Sequence, residues 1–304
     1  MSLIDIQDLI NENEPLASLP NTFYKLREVV EDPHSDFDDI AEIISVDPSL
    51  TLRLLKIVNS AFYGFRGEIE SVCHAMGVVG TEQLMQLVLA TTVVEQFKGI
   101  PKDLMDMKYF WKHSVACGLS ARAINNARGE YDGESIFVAG LLHDIGRLVM
   151  CLKVPDQLKI VLDFAQKSGD RWYKAEAKYF GFDHGGVGGA LLRAWKLPEK
   201  LQEAVAHHHF PSSANNFPLE AAIVHLADRI SHQVILDPDR DTEKYSYGKD
   251  AWDAVQLSED SHLQQIIEQT EAQLEEVCQI FLQNRIDGSP SVPSQKTLLS
   301  PSCQ

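Results

Sequence analysis

Residues 134–152 read ESIFVAGLLHDIGRLVMCL, an apolar stretch with a 3.6-residue period that carries an adjacent His143-Asp144 pair at its middle. With YFWKHSVACGLSARAINNA before it, at residues 109–127, it belongs to a helical block that runs from about Tyr109 to Arg285. Toward the N-terminus the same period recurs from Phe23 to Val30, Phe37 to Ser45, Ser49 to Asn59, Ile69 to Val79 and Thr81 to Gln96. DPHSD, VDP, YGFRG and Gly80 separate these runs. Asp36 and Asp47 stand where an N-cap belongs, and Pro48 where a first helical turn tolerates proline. No alternating strand pattern and no internal repeat is evident, so the expected fold is all-α, an N-terminal helical bundle packed on a second helical bundle.

The expected division is an extension over residues 1–14, a helical subdomain over 15–107, a second over 108–285, and a disordered Ser/Pro-rich tail over 286–304. FKGIPKDLMDM, at 97–107, is the expected boundary between the subdomains. Phe210 to Phe217 and Asp237 to Asp250 are rich in turn residues and are expected to be mobile loops.

The chain has 304 residues, 44% of them hydrophobic, enough for a substantial core. Against 27 Lys and Arg stand 44 Asp and Glu, and the resulting charge of −17 disfavours a broad nucleic-acid interface. A small phosphorylated ligand held through a metal is compatible with it. The five cysteines are odd in number, widely spaced and without a CxxC, which fits a reducing cytoplasm and neither a disulfide framework nor a zinc knuckle. The acidic N-terminus lacks a signal-peptide pattern, and no apolar run reaches the ~18 residues of a membrane span.

Seven side chains of metal-ligand type fall in the second block: His113, His143, Asp144, His184, His207, His208 and Asp228. Imidazole and carboxylate are the ligands of hydrolytic metal centres. An adjacent His-Asp pair offers one ion a nitrogen while its carboxylate bridges to a second. Such N/O sets suit Fe, Mn, Ni, Zn or Co, and two ions are expected.

DPSLTLRLLKIVNSAFYG (47–64), LLHDIGRL (141–148), FGFDHGGVGGALLRAWKLPE (180–199), HHH (207–209) and HLADRI (225–230) occur in that order. Together they closely resemble the HDOD family, bacterial output domains related to the HD and HD-GYP metal-dependent phosphohydrolases. The resemblance covers roughly residues 15–285 and implies an HD-like fold for the second bundle. It matches His113, His143, Asp144 and Asp228 to the simple HD ligand set, and His184, His207 and His208 to the further histidines of HD-GYP proteins. Asp144 and Arg147 are the implied catalytic residues, the first bridging the metals and the second neutralising phosphate charge.

The chain also departs from its relatives. Many HDOD proteins have lost the metal ligands that are kept here. HD-GYP proteins carry a glutamate where Tyr109 stands, four residues before His113, and HDxGK and HHE-GYP segments where this chain has Arg147 and His209-Phe210-Pro211. Cyclic di-GMP hydrolysis is therefore not expected. His225 is read as a structural partner, His232 as a surface residue and His209 as pointing away or into the loop. Asn59 and Ser60 are read as hydrogen-bonding across helices. The functional expectation is a bacterial signalling module that keeps an HD-type metal site and acts through a signalling partner. Its alternative is a metal-dependent phosphohydrolase acting on a small phosphorylated or nucleotide substrate.

Overall fold

The computed structural model describes residues 4–10, 18–97, 99–130, 133–235 and 249–282, and every regular element among them is helical. The expected tail and most of the expected 237–250 loop lie outside the described residues. In the N-terminal part, α1 (Ile6–Leu9), α2 (Asn21–Glu31), α3 (Phe37–Ser45), α4 (Pro48–Val58), α5 (Val72–Val79) and α6 (Thr81–Gln96) follow one another through short connections. The second part runs through α7 (Met107–Ala127), α8 (Gly133–Leu142), α9 (Ile145–Lys153), α10 (Pro155–Ser168) and α11 (Trp172–Phe180). It continues with α12 (His184–Ala194), α13 (Glu199–Ala206), α14 (Pro218–Ile235), α15 (Lys249–Ala254) and α16 (Glu259–Leu282).

Local chemistry sets several of these boundaries. The Asp36 carboxylate accepts from the amides of Asp38 and Asp39 while Asp39 reciprocates, a capping box that starts α3. Asp47 accepts from the amides of Ser49 and Leu50, and Pro48 occupies the first turn of α4. The largest boundary difference from these sequence runs is at α5, which begins at Val72 rather than Ile69. The Asn59 amide grips Ile69 from both sides, donating to its carbonyl and accepting from its N–H at 2.8 Å each, so Ile69 is withheld from the helix. Ser71 then caps α5 by accepting from the amide of His74.

The two parts share one apolar core. Phe62, in the connection after α4, packs edge-on against Phe137 of α8 at 5.0 Å, and Phe137 lies 6.0 Å from Phe281 of α16. The long α16 packs on α7, α4 and α6. Short α1 rests against α9 and α12 rather than extending away from them. Residues 133–153 have the length and apolar character of a membrane span, but most of that stretch is buried inside the protein as α8 and α9, which are the core helices beneath the site.

Two glycine crossings bring the site elements together. A Cβ on Gly140 would lie 2.8 Å from Gly118 Cα, so α7 and α8 touch backbone to backbone. A Cβ on Gly146 would lie 2.0 Å from the His184 carbonyl oxygen and 2.7 Å from Gly188 N, so α9 crosses α12 equally tightly. These contacts hold the bases of His113, His143 and His184 within side-chain reach of one another.

Candidate metal centre

His143 and Asp144 form the corner between α8 and α9. Asp144 is the N-cap of α9, yet its carboxylate makes no capping bond and turns into the interior instead. Around it stand His113 from α7, His184 at the first position of α12, His208 and His209 just after α13, and Asp228 from α14. His143, Asp144, His184 and His208 are buried, as is His113.

Asp144 faces two groups of ligand atoms with its two oxygens. Its Oδ2 lies 3.4 Å from His143 Nε2 and 3.9 Å from His113 Nε2. Its Oδ1 lies 2.9 Å from His184 Nε2 and 4.0 Å from His208 Nε2. Asp228 Oδ1 completes the first group, 3.1 Å from His113 Nε2 and 3.5 Å from His143 Nε2. His209 Nε2 completes the second, 2.9 Å from His184 Nε2.

The outer nitrogens determine what the inner ones offer. Nδ1 of His143 donates to the Gly140 carbonyl at 2.7 Å, and Nδ1 of His208 to the Val205 carbonyl at 2.7 Å. His113 Nδ1 lies 3.1 Å from Ser231 Oγ, whose own hydrogen goes to the Asp228 carbonyl, so His113 must be the donor. His184 Nδ1 lies 2.6 Å from the Glu176 carboxylate. With a proton on each Nδ1, the Nε2 atoms are the ones that converge on the Asp144 carboxylate, and each can offer a lone pair to an ion that displaces any proton it carries. Nε2 of His113, His143 and His208 and Oδ1 of Asp144 are buried and make no hydrogen bond. Nitrogen lone pairs facing carboxylate oxygens need a proton or a metal ion between them; burial disfavours the proton at His113 and His208, and a buried unsatisfied polar atom costs about 1–3 kcal/mol. The donor set therefore fits metal ions.

The electrostatics of the ion-free protein follow from the same crowding. Burial resists ionisation of Asp144, but Arg147, His143 and His184 outweigh it and hold the carboxyl well below its usual range. Burial is likewise outweighed at Asp228, by His113 and His143, and its pKa also lies well below the ordinary value. His184 rises to about 9 because Glu176 and Asp144 overcome its burial, and His143 rises beside Asp144 in the same way. Burial, with His143 and His184 close by, pushes His208 down to about 3, and His209 is also lowered strongly. His208 and His209 thus meet a cation already unprotonated.

The structure brings together His113, His143, Asp144, His184, His208 and Asp228 as ligand-type groups, and it corrects the reading of their neighbours. His207 turns out of the site: it ends α13 and its Nδ1 pairs with Ser213 Oγ at 2.8 Å in an exposed turn. His209 takes the inward place, its ring stacked under Tyr173 at 4.0 Å. His232 is not a surface residue either. It stacks on His113 at 4.4 Å, with Nε2 3.5 Å from Asp228 Oδ1. His225 acts as a structural partner, its Nδ1 2.6 Å from the His208 carbonyl. Tyr109 lies parallel to the His113 ring at 6.4 Å and supplies no carboxylate there. Glu176 was missed because it belongs to none of the motifs. The signal available was its position, one short helix before His184.

The HDOD domain family matches residues 16–211, well over half of the chain. The chain belongs to the HDOD family. The matched stretch includes His113 through His209, and Asp228 lies beyond its end. A protein of Treponema pallidum (strain Nichols), described only as uncharacterized, is 24% identical over 198 residues, or 64% of this chain and 38% of that one. The HDOD chain thus aligns with well under half of that relative's length. Among solved structures, a candidate phosphohydrolase of Shewanella amazonensis SB2B is 21% identical with a TM-score of 0.68, over 90% of this chain and 99% of that one. An HDOD domain protein of unknown function from Geobacter sulfurreducens is 21% identical with a TM-score of 0.66, over 87% and 91%. A candidate signal transduction protein of Marinobacter aquaeolei VT8 is 19% identical with a TM-score of 0.65, over 86% and 59%. These likenesses establish the shared all-α architecture.

On one side the centre of this HDOD protein opens into a cleft of about 600 Å³. Asp228, His209 and His232 of the site line it together with Arg147, Arg171, Arg229, Trp172 and Leu162. Arg147 reaches Asp144 Oδ2 at 2.9 Å and carries its guanidinium 5.1 Å from the centre of the Trp172 ring. Asp103, Asp163 and Asp170 also line the cleft, so its charge is mixed.

Proposed function

We propose that this HDOD protein is a metal-dependent phosphohydrolase that holds two divalent ions and acts on a small phosphorylated substrate within intracellular signalling. The observation that carries the reading is the convergence of imidazole Nε2 atoms on both oxygens of Asp144, beside a cleft that Asp228, His209 and Arg147 line. Structural metal sites are closed, whereas catalytic ones keep an accessible side. His113, His143, Asp144 and Asp228 would hold one ion, and Asp144, His184, His208 and His209 the other.

Bound there, the ions would supply Lewis-acid activation of the phosphoester and of water. The protein's own groups do the rest. Asp144 is kept ionised by Arg147 and its histidine neighbours, and so remains a ligand rather than an acid. Arg147, oriented by Asp144 and Trp172, is placed to pair with phosphate oxygens and to neutralise charge that grows on them in the transition state. The cleft volume suits a mononucleotide-sized ligand and is within the common range for small-molecule sites.

The test is hydrolysis of 4-nitrophenyl phosphate and bis(4-nitrophenyl) phosphate by protein reconstituted with Mn²⁺ or Fe²⁺, wild type against Asp144→Ala. Turnover in wild type and none in the variant supports the reading. Absence of metal uptake on reconstitution would end it.

A second reading, a module that acts by binding a signalling partner, is favoured by the exposed apolar side chains Val46 and Leu52 at the corner of α3 and α4. Under that reading, Val46→Asp with Leu52→Asp would abolish the biological output while leaving phosphoester hydrolysis and metal content untouched.

A further inference from the structure

Glu176 is among the most deeply buried carboxylates in the protein, 1% exposed, on α11 eight residues before His184. The chain reverses between them at Gly181, whose φ of +87° is left-handed and favours glycine. That reversal brings Glu176 back against the first residue of α12. Its Oε2 accepts from the His184 main-chain N–H at 2.9 Å and from Nδ1 of the same residue at 2.6 Å. One carboxylate oxygen therefore fixes the start of the helix, the plane of the ring and the nitrogen that carries the proton. The remaining nitrogen, Nε2, is then directed at Asp144 Oδ1, 2.9 Å away.

The other rings are held differently. His143 and His208 lean on main-chain carbonyls and His113 on a hydroxyl, all neutral acceptors. An anionic acceptor behind an imidazole makes its far nitrogen a stronger donor and fixes its orientation more firmly. The two groups of ligand atoms around Asp144 are thus supported unequally: among the described residues, His184 has a carboxylate behind it, whereas His113, His143 and His208 have neutral acceptors.

We propose that Glu176 is the positioning residue of the His184, His208 and His209 group, setting how tightly that group holds its ion while leaving the His113, His143 and Asp228 group unaffected. This rests on the two-ion reading above. Glu176 touches neither substrate nor ion and acts only through His184.

The experiment is a Co²⁺ titration of the full-length, metal-free protein, followed by visible absorption and by competition with a chromophoric chelator. Circular dichroism of each metal-free variant checks that it is folded. Wild type takes up two equivalents. Glu176→Gln keeps the shape and an acceptor oxygen but removes the charge. In it one equivalent binds with unchanged affinity and spectrum, while the other weakens about 10- to 100-fold with altered absorption. Glu176→Asp, which keeps the charge, recovers part of that loss. The equivalent that survives in Glu176→Gln is the one lost in Asp228→Asn.

Equal weakening of both equivalents, which a purely structural role would produce, overturns the proposal, and so does unchanged binding of both. Failure of wild type to bind Co²⁺ at all would instead remove the two-ion reading, and the proposal with it.

Discussion

Replacing Gly146 by alanine adds a single methyl group where α9 crosses α12, and the structure leaves no room for it. The new Cβ would lie 2.0 Å from the His184 carbonyl oxygen and 2.7 Å from Gly188 N, both main-chain atoms that no rotamer change can move. Ordinary contact begins near 3.4 Å, so the helices must part by about 1.4 Å, the difference between 3.4 and 2.0. Over-packing typically costs 1–3 kcal/mol, and a backbone-to-backbone clash belongs at the upper end, about 3 kcal/mol. Because α12 begins at His184, the same displacement pulls that ring from Asp144, 2.9 Å away. Urea unfolding of the metal-free protein should therefore show the stability loss, and elemental analysis should show fewer than two ions per chain. Gly186→Ala is the control on the same helix: its Cβ would make ordinary contacts with the flexible tip of Ile6 at 3.5 Å and the Asp183 carboxylate at 3.8 Å, and alanine improves helix propensity by up to about 1 kcal/mol. Equal stability and equal metal content in the two variants would refute the argument from the crossing.

Other consequences follow from the arrangement around Asp144. Asp144→Asn should lose both ions and Asp228→Asn only one, because the two Asp144 oxygens face one group each whereas Asp228 lies with the first; equal loss in a metal assay would show that the groups are not separate. His209→Ala should lose an ion and His207→Ala should retain both, an order that elemental analysis would reverse if His207 were the ligand. In the metal-free protein, His184 is raised from 6.5 to about 9, so its proton stabilises the fold fully below pH 6.5 and that contribution fades as pH rises through 9. His208 is lowered from 6.5 to about 3, so the unfolded chain binds the extra proton and stability falls as pH drops from 6.5 toward 3. Melting temperature against pH should therefore fall on both sides of about 6.5, and a flat profile would contradict the coupling. Metal loading should remove the alkaline decline, since an ion replaces the His184 proton.

Most helices were legible in the sequence because they depend on neighbours within a turn or two. Asp36 and Asp47 cap the amides that follow them, Pro48 fits a first turn, and apolar periodicity marks the buried face of α4. The start of α5 was not legible, because Asn59 holds Ile69 from ten residues away. The chemical character of the candidate site was partly readable: His143-Asp144, with histidines and an aspartate on other helices, offers an N/O ligand set, and it was the order of the motifs, as the HDOD resemblance supplies it, that tied those separate residues together. Which imidazoles converge was decided by tertiary structure. Among three consecutive histidines, the chain's path beyond α13 sends His207 to Ser213 and His209 to His184, a choice fixed by packing around Tyr173 and His225 rather than by residue type. Glu176 carries no sequence signature, and its role exists only because the Gly181 reversal lays α11 against α12. Residue identity sets what a side chain can donate or accept, whereas convergence within about 3 Å depends on how whole helices cross, and that is a property of the packed core.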